Sequence, residues 1–259
     1  PYFNDSTAEV AIQRIIEYFD ANPNASSYSL GINDGTNYAE KPGHPNYTDE
    51  RNSIGRIHRT DYYARWVNKI AEGVTEVYPD KYFGFLAYRE MQDPPKNEDG
   101  TPYKLHPNVI PYITLDRMSW EDPDLRQAGH DQVEAWKKSA ENIGWYDYFY
   151  GAAYSLPRVY FHTMDENYKY AFDQGIIGHV AELYPNFAGE GPKAWVSAKL
   201  QWDPNQNVDE LLNDWYVSAV GEDAAPYLKQ YYENWEQLWT VRMMDSSWFQ
   251  KFATAPGVY

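Results

Sequence analysis

Five acidic residues stand at or near the ends of apolar runs. Asp34 closes SYSLGIND, Glu90 closes YFGFLAYRE, Asp116 follows the run 109–115, Asp147 lies within WYDYFY, and Glu182 lies near the end of the run 176–183. A buried strand that delivers a carboxylate to its carboxyl end is how barrel and doubly wound α/β enzymes build their sites. The chemistry such acids perform in pairs is proton transfer, one giving a proton while the other stabilises positive charge or accepts one. Taken singly, each signal is ambiguous: Asn33-Asp34-Gly35 is also a good turn, and Arg89 beside Glu90 equally makes an ion-paired structural acid. It is the recurrence that points to a site.

Aromatic residues stand among these acids. The chain of 259 residues has 25 Tyr and 10 Trp, 17 % aromatic with Phe, more than packing requires. Tyr and Trp join an apolar face to a hydrogen-bonding tip, which suits stacking on sugar rings as well as packing in cores or interfaces. Asn33, Tyr88, Arg89, Asp147, Tyr154 and Trp195 are the candidate binding residues. Only one parity of the strand carrying Tyr146, Asp147, Tyr148 and Tyr150 faces a barrel interior, so only that parity reaches a ligand there.

The elements that must position these residues alternate helix and strand. Helices are predicted over 7–22, capped by Asp5, Ser6 or Thr7, and over 61–78, 124–142 and 166–174; strands over 27–34, 82–90, 109–115, 145–150 and 176–183. The polar stretch 35–59 is long for a plain connection and reads as a functional loop. Beyond Lys193 strands cease, and three helices, 194–201, 208–220 and 224–244, form a C-terminal helical appendage (193–259) on an α/β domain (1–192). Strands separated by helices imply right-handed crossovers and a parallel sheet, either open or part of a barrel. Acids at nearly every strand end favour the carboxyl-terminal part of a TIM (β/α)8 barrel, about five βα units, because a barrel gathers all strand ends at one mouth. On that register roughly three βα units precede Pro1, and they are expected from an N-terminal part of the same protein missing here.

Composition excludes several classes. The formal charge of −16, with no basic run, argues against nucleic acid. There is no apolar stretch of ~18 residues to span a membrane. Without Cys there is no disulfide, thiolate nucleophile or thiolate metal site. The six His lack HExxH spacing, and the calcium-like run Asp203, Asn205, Asn207, Asp209 lacks its Gly and its bidentate Glu, so no metal and no cofactor is expected. No nucleophile elbow, phosphate loop or dinucleotide fingerprint occurs.

The run SLGINDG, the segment WVNKIAEGVTEVYPDKYFGFLAYRE, the string HPNVIPYIT, the block WYDYFYGAAYSLPR and GHVAELYPNFAGEGPKAW with LQWDP resemble the family catalogued as domain of unknown function 4838. That family is similar to TIM-barrel glycoside hydrolases, and some members are assigned as endo-β-N-acetylglucosaminidases of glycoside hydrolase family 163. The resemblance implies a carbohydrate-active barrel, a glycan or oligosaccharide partner, and a secreted, periplasmic or cell-surface location. One departure is that many relatives carry several Cys in the loop after Asn-Asp, where this chain has GTNYAE.

Hydrolysis of a glycoside needs a protonated carboxyl for the leaving oxygen and a negative group for the oxocarbenium-like centre, or a substrate acetamido group in its place. Asp34 and Glu182 form the first candidate catalytic pair, each lying in a motif shared with the resembled family; Glu90 is the third acid. The other function class is a non-catalytic carbohydrate-binding or scaffold protein that keeps the aromatic mouth.

Overall fold

Apolar runs with period two become strands and the amphipathic stretches between them become helices, in the order the sequence predicts. The computed structural model describes residues 4–32, 48–149, 156–183 and 187–246, with 187 and 188 by backbone alone. In chain order the elements are α1 (Asp5–Ala21), β1 (Ser27–Ser29), α2 (Thr60–Thr75), β2 (Tyr82–Ala87), β3 (Val109–Thr114), α3 (Pro123–Lys137), β4 (Gly144–Tyr148), α4 (Phe161–Gln174) and β5 (Gly178–Glu182). Then follow α5 (Lys193–Trp202), α6 (Val208–Val220) and α7 (Ala225–Gln237), which runs into a π-helical turn at Leu238–Arg242. Short 3-10 turns at Arg89–Met91 and Arg117–Glu121 follow β2 and β3. The chain divides into two units, Pro1–Thr114 with Asp131–Tyr146, and Leu115–His130 with Asp147–Tyr259, so the division runs through α3 and β4.

In the first unit β1, β2, β3 and the start of β4 pair in parallel, in sequence order, with Tyr28 opposite Phe83, Phe85 opposite Pro111 and Ile113 opposite Trp145. Alternation sorts the strand residues. Phe83, Phe85, Ala87, Val109 and Ile113 are buried, and Phe85 packs edge-on against Tyr63 of α2 and Trp136 of α3. Gly84, Leu86, Ile110 and Tyr112, on the other face, are half-buried. The Tyr112 ring spreads sideways over both neighbouring strands: a Cβ added at Gly144 would lie 2.5 Å from it, and one at Gly84 3.3 Å. Glycine at these two positions makes room for the ring. Helix α1 is capped by Asn4, whose side chain accepts from the Ser6 N–H at 3.0 Å, one residue before the predicted caps. Strand β1 ends at Ser29, although the Leu30 N–H still donates to Gly84 O at 2.8 Å.

In the second unit β5 follows β4 in the sheet, and the Phe149 N–H donates to Glu182 O at 2.8 Å. Helix α4 starts at Phe161, not at Glu166 as predicted. Its exposed first-turn donor at His162 is satisfied by Glu236 of α7 (2.8 Å), a partner distant in sequence that no local capping signal can show. Gly175, at φ 73, ends the helix with the Ile176 N–H reaching back to Ala171 O at 2.9 Å. Val159, Phe161, Met164 and Tyr168 form one core with Val196, Leu200, Leu212, Tyr216, Tyr232 and Trp239, against which Ala181 and Leu183 pack. Asn207 caps α6, accepting from the Asp209 and Glu210 N–H groups at 2.9 and 3.2 Å; the calcium-like run is a helix cap.

The Tyr112 contact yields a stability prediction. Gly144→Ala should destabilise the protein by about 1–3 kcal/mol, because the new methyl group overpacks against a ring held between two strands. Pairing it with Tyr112→Leu should recover most of that loss. Urea denaturation of the single and double variants measures both, and full additivity of the two changes would show that the ring is not the obstacle.

Candidate functional site

The first unit presents Glu90 on a strained turn. Tyr88 leaves β2 extended, with φ −142 and ψ 142, and Arg89 then turns to φ 54, the sole non-glycine residue with positive φ among the described residues. A long side chain in this region costs about 1–3 kcal/mol, which the surroundings must hold in place. They do so from the polar loop that precedes α2: Asn52 donates its amide to Arg89 O at 2.5 Å, and the Arg59 N–H donates to Glu90 O at 3.0 Å. The loop is itself fixed by Arg56 N–H to Asn52 Oδ1 (2.9 Å) and Ser53 N–H to Asp93 Oδ2 (2.8 Å).

Glu90 is thereby set into the protein, 6 % exposed. Its Oε1 lies 3.7 Å from Arg56 Nη1 and its Oε2 3.9 Å from Arg89 Nε, ion-pair separations too long for hydrogen bonds. Oε2 has no hydrogen-bond partner among the described residues. The Arg89 guanidinium also sits 5.9 Å from the Tyr88 ring centroid, so Tyr88, Arg89 and Glu90 form one cluster at the carboxyl end of β2.

In the second unit the strand-end acids meet cations. Asp147 accepts the backbone N–H groups of Tyr148 (2.7 Å) and Arg117 (3.1 Å), with Arg117 Nη1 at 3.5 Å and His179 Nε2 at 3.8 Å. Burial pushes its carboxyl up, but His179 and the Arg117 guanidinium outweigh that and hold it below the usual range. Asp116 is bound by Arg158 Nη2 at 2.9 and 2.8 Å, and there burial wins and raises the carboxyl. Glu190 accepts the Arg158 N–H at 3.1 Å and pairs with Lys193, whose ammonium also donates to Phe149 O at 2.7 Å. Burial pulls Arg117 down to about 10 and Lys193 down to about 8, against the opposing pull of Asp147 and Glu190.

His179 packs on Phe149 and on Tyr168 of α4, with ring centroids 5.6 and 5.3 Å apart, so Asp147 and His179 lie on the helix-facing side of the sheet. Alternation along β5 then turns Val180 and Glu182 to the other face, where Val180 is exposed and Glu182 half-buried. Asp147 and Glu182 therefore point away from each other. Trp195, on α5, is half-buried against the helical core. Asn33, Asp34 and Tyr154 lie outside the described residues.

Sequence reasoning passed over Arg158, Glu190 and Lys193, which neutralise or complete the buried acid cluster. The signal was present: Arg158 ends the block WYDYFYGAAYSLPR, and Glu190 and Lys193 lie in AGEGPKAW, both quoted as family motifs. Also missed was a cavity of about 470 Å3 lined by Glu121, Arg126, His162, Glu166, Glu233 and Glu236 among others. Among the described residues no group of three His, Cys, Asp or Glu is placed to hold a metal ion, and no helix is long and apolar enough to cross a membrane.

The family model described as Domain of unknown function (DUF4838) matches residues 2–233. None of the curated proteins matches the chain.

Two predictions follow from this geometry. Asn52→Ala leaves the Arg89 carbonyl without its donor and should cost about 1–3 kcal/mol, whereas Arg89→Gly relieves the positive φ and should cost nothing or stabilise; equal losses in urea titrations would refute strain at Arg89. The second concerns pH. Burial raises the Glu121 carboxyl from 4.5 to about 7, so the folded state holds a proton the unfolded chain releases, and stability falls across that interval. The Glu236 carboxylate raises His162 from 6.5 to about 9, so its contribution is full below pH 6.5 and is lost as pH climbs to about 9. Denaturation at a series of pH values should show the first decline removed by Glu121→Gln and the second by His162→Gln.

Proposed function

Because the chain belongs to the domain of unknown function 4838 family, we propose that it is a carbohydrate-active protein, a glycoside hydrolase acting on N-acetylglucosamine-containing or related glycans. In this reading the parallel strands are the carboxyl-terminal part of a (β/α)8 barrel, and the half-buried face bearing Gly84, Leu86 and Tyr112 is the one a barrel turns inward. The observation that carries the reading is Glu90: a buried carboxyl at a strand's carboxyl end, held on a strained turn, with one oxygen lacking a hydrogen-bond partner among the described residues. Strain retained at a strand end is a mark of function, because packing alone would select glycine there.

The roles are assigned as follows. Asp34 and Glu182 are the acid pair, one protonating the leaving oxygen and the other stabilising the developing cation or orienting a substrate acetamido group. Glu90 is the third acid and replaces either if that pair fails. Asn33, Tyr88, Arg89, Asp147 and Tyr154 bind sugar hydroxyls or stack on rings, Asp147 being enclosed by Arg117 and His179, and Trp195, on α5, stacks on a sugar ring from the helices. The alternative is a non-catalytic carbohydrate-binding or scaffold protein. It is favoured by the pairing of Asp116 with an arginine, the behaviour of a structural acid.

The test is a screen of the full-length protein on N-glycans and on plant or algal polysaccharides, with analysis of products. Asp34→Asn and Glu182→Gln should each lower kcat by ~10²-fold or more with binding retained. An activated aryl leaving group should rescue the acid variant and not its partner. Near wild-type rates in both variants would move the chemistry to Glu90, and binding without release of any sugar would establish the non-catalytic reading.

A further inference from the structure

Helices α5 and α6 enclose a groove of about 530 Å3 that no strand end contributes to, lined by Trp195, Asn213, Asp214, Trp215, Val217, Ser218 and Glu222. Its size falls within the roughly 300–1,000 Å3 of small-molecule sites. Both tryptophans are half-buried against the helical core, so their planes are anchored: Trp215 lies edge-on to Tyr216 and Tyr232, with ring centroids 5.8 and 6.2 Å apart. Held rings lose little entropy on binding, which is why tryptophan serves as an anchor. Around them stand only short or acidic polar groups, Asn213, Asp214, Ser218 and Glu222, with no Lys or Arg in the lining. Lys199 lies over the Trp195 ring at 5.4 Å on its exposed side chain, so a ligand takes the other face of that ring or displaces the ammonium.

These features specify the ligand class. Flat aromatic walls suit an apolar ring face, carboxylate and amide oxygens accept from hydroxyl groups, and the Asp214 and Glu222 carboxylates, which outnumber the Lys199 ammonium, disfavour anionic rings. We propose that Trp195 and Trp215 form a second carbohydrate-binding site, which takes one to three residues of a neutral sugar chain and rejects uronic acids. The inference rests on the carbohydrate reading above for its ligand class, and adds to it a binding site on the helices with Trp215 as its second stacking residue.

Titration of the full-length protein with neutral trisaccharides of N-acetylglucosamine, glucose and mannose, followed by tryptophan fluorescence and calorimetry, tests it. At least one should bind saturably, and trigalacturonic acid should not. Trp195→Ala and Ser218→Arg should each weaken binding at least tenfold. Ser218 is exposed, so the arginine fills the groove without disturbing the core that Trp215→Ala would loosen. Glu182→Gln should leave the affinity unchanged. If the protein hydrolyses a glycan while no neutral trisaccharide binds in a way that Ser218→Arg and Trp195→Ala both weaken, the second site is overturned and the hydrolase reading stands. If such binding is lost in Ser218→Arg but no glycan is ever cleaved, the site stands and the hydrolase reading falls. Binding of trigalacturonic acid as tight as that of the neutral sugars would overturn the specificity.

Discussion

The second unit depends on a buried set of opposed charges. Asp116, Asp147 and Glu190 face Arg117, Arg158 and Lys193, and the three cations are almost wholly removed from solvent. Removing such ions from water costs several kcal/mol each, and only good geometry with further hydrogen bonds offsets it. Here the offsets come from backbone groups: two N–H donors on Asp147, the Arg158 N–H on Glu190 and the Phe149 carbonyl under Lys193. The network ties together the segments after β3, after β4 and before α5, which hydrophobic contacts alone would leave free to slide. A uniquely placed set of strand ends is what a site needs, and apolar packing is too permissive to supply it.

The first unit reaches the same end by a different device. Its strand-end turn at Arg89 is held by backbone carbonyls tied to one loop, through Asn52 and Arg59, instead of by an ion cluster. That loop lies in the polar stretch whose length and composition mark it in the sequence as more than a connection. The consequence is a buried carboxyl at Glu90 with arginines close by yet outside hydrogen-bonding distance.

The elements were legible because their signals are local. Period two in YFGFLA and 3.6 in the stretch that became α2 record which face is buried, and the order of strands follows from the crossovers. What was not legible depends on contacts distant in sequence. The cap of α4 is Glu236, 74 positions from His162. The short span of β1, paired with β2 only over 82–84, and the raised carboxyl of Glu121, in a cavity assembled from helical segments, both depend on such partners. Acids at strand ends stood out in the sequence; their partners lay in the quoted motifs but did not stand out, because the charge of Arg158, in a loop, and of Lys193, at the start of α5, gives no sign of burial.

This difference in partners sorts the acids. A carboxylate that accepts two N–H groups and faces a guanidinium and an imidazole, as Asp147 does, is stabilised as an anion and is a poor proton donor at neutral pH. Asp116 is bound through both oxygens by one guanidinium nitrogen of Arg158. Both lie at strand ends, and both are engaged by the protein's own donors. Glu90 and Glu182 differ: the first keeps an oxygen without a hydrogen bond among the described residues, and the second projects from the face of β5 opposite His179. Position at a strand end therefore does not by itself set a carboxylate's partners. The distinguishing variable is whether the protein's own donors engage the carboxylate: the acids paired with arginine fix the geometry, whereas Glu90 keeps one oxygen without a hydrogen bond among the described residues.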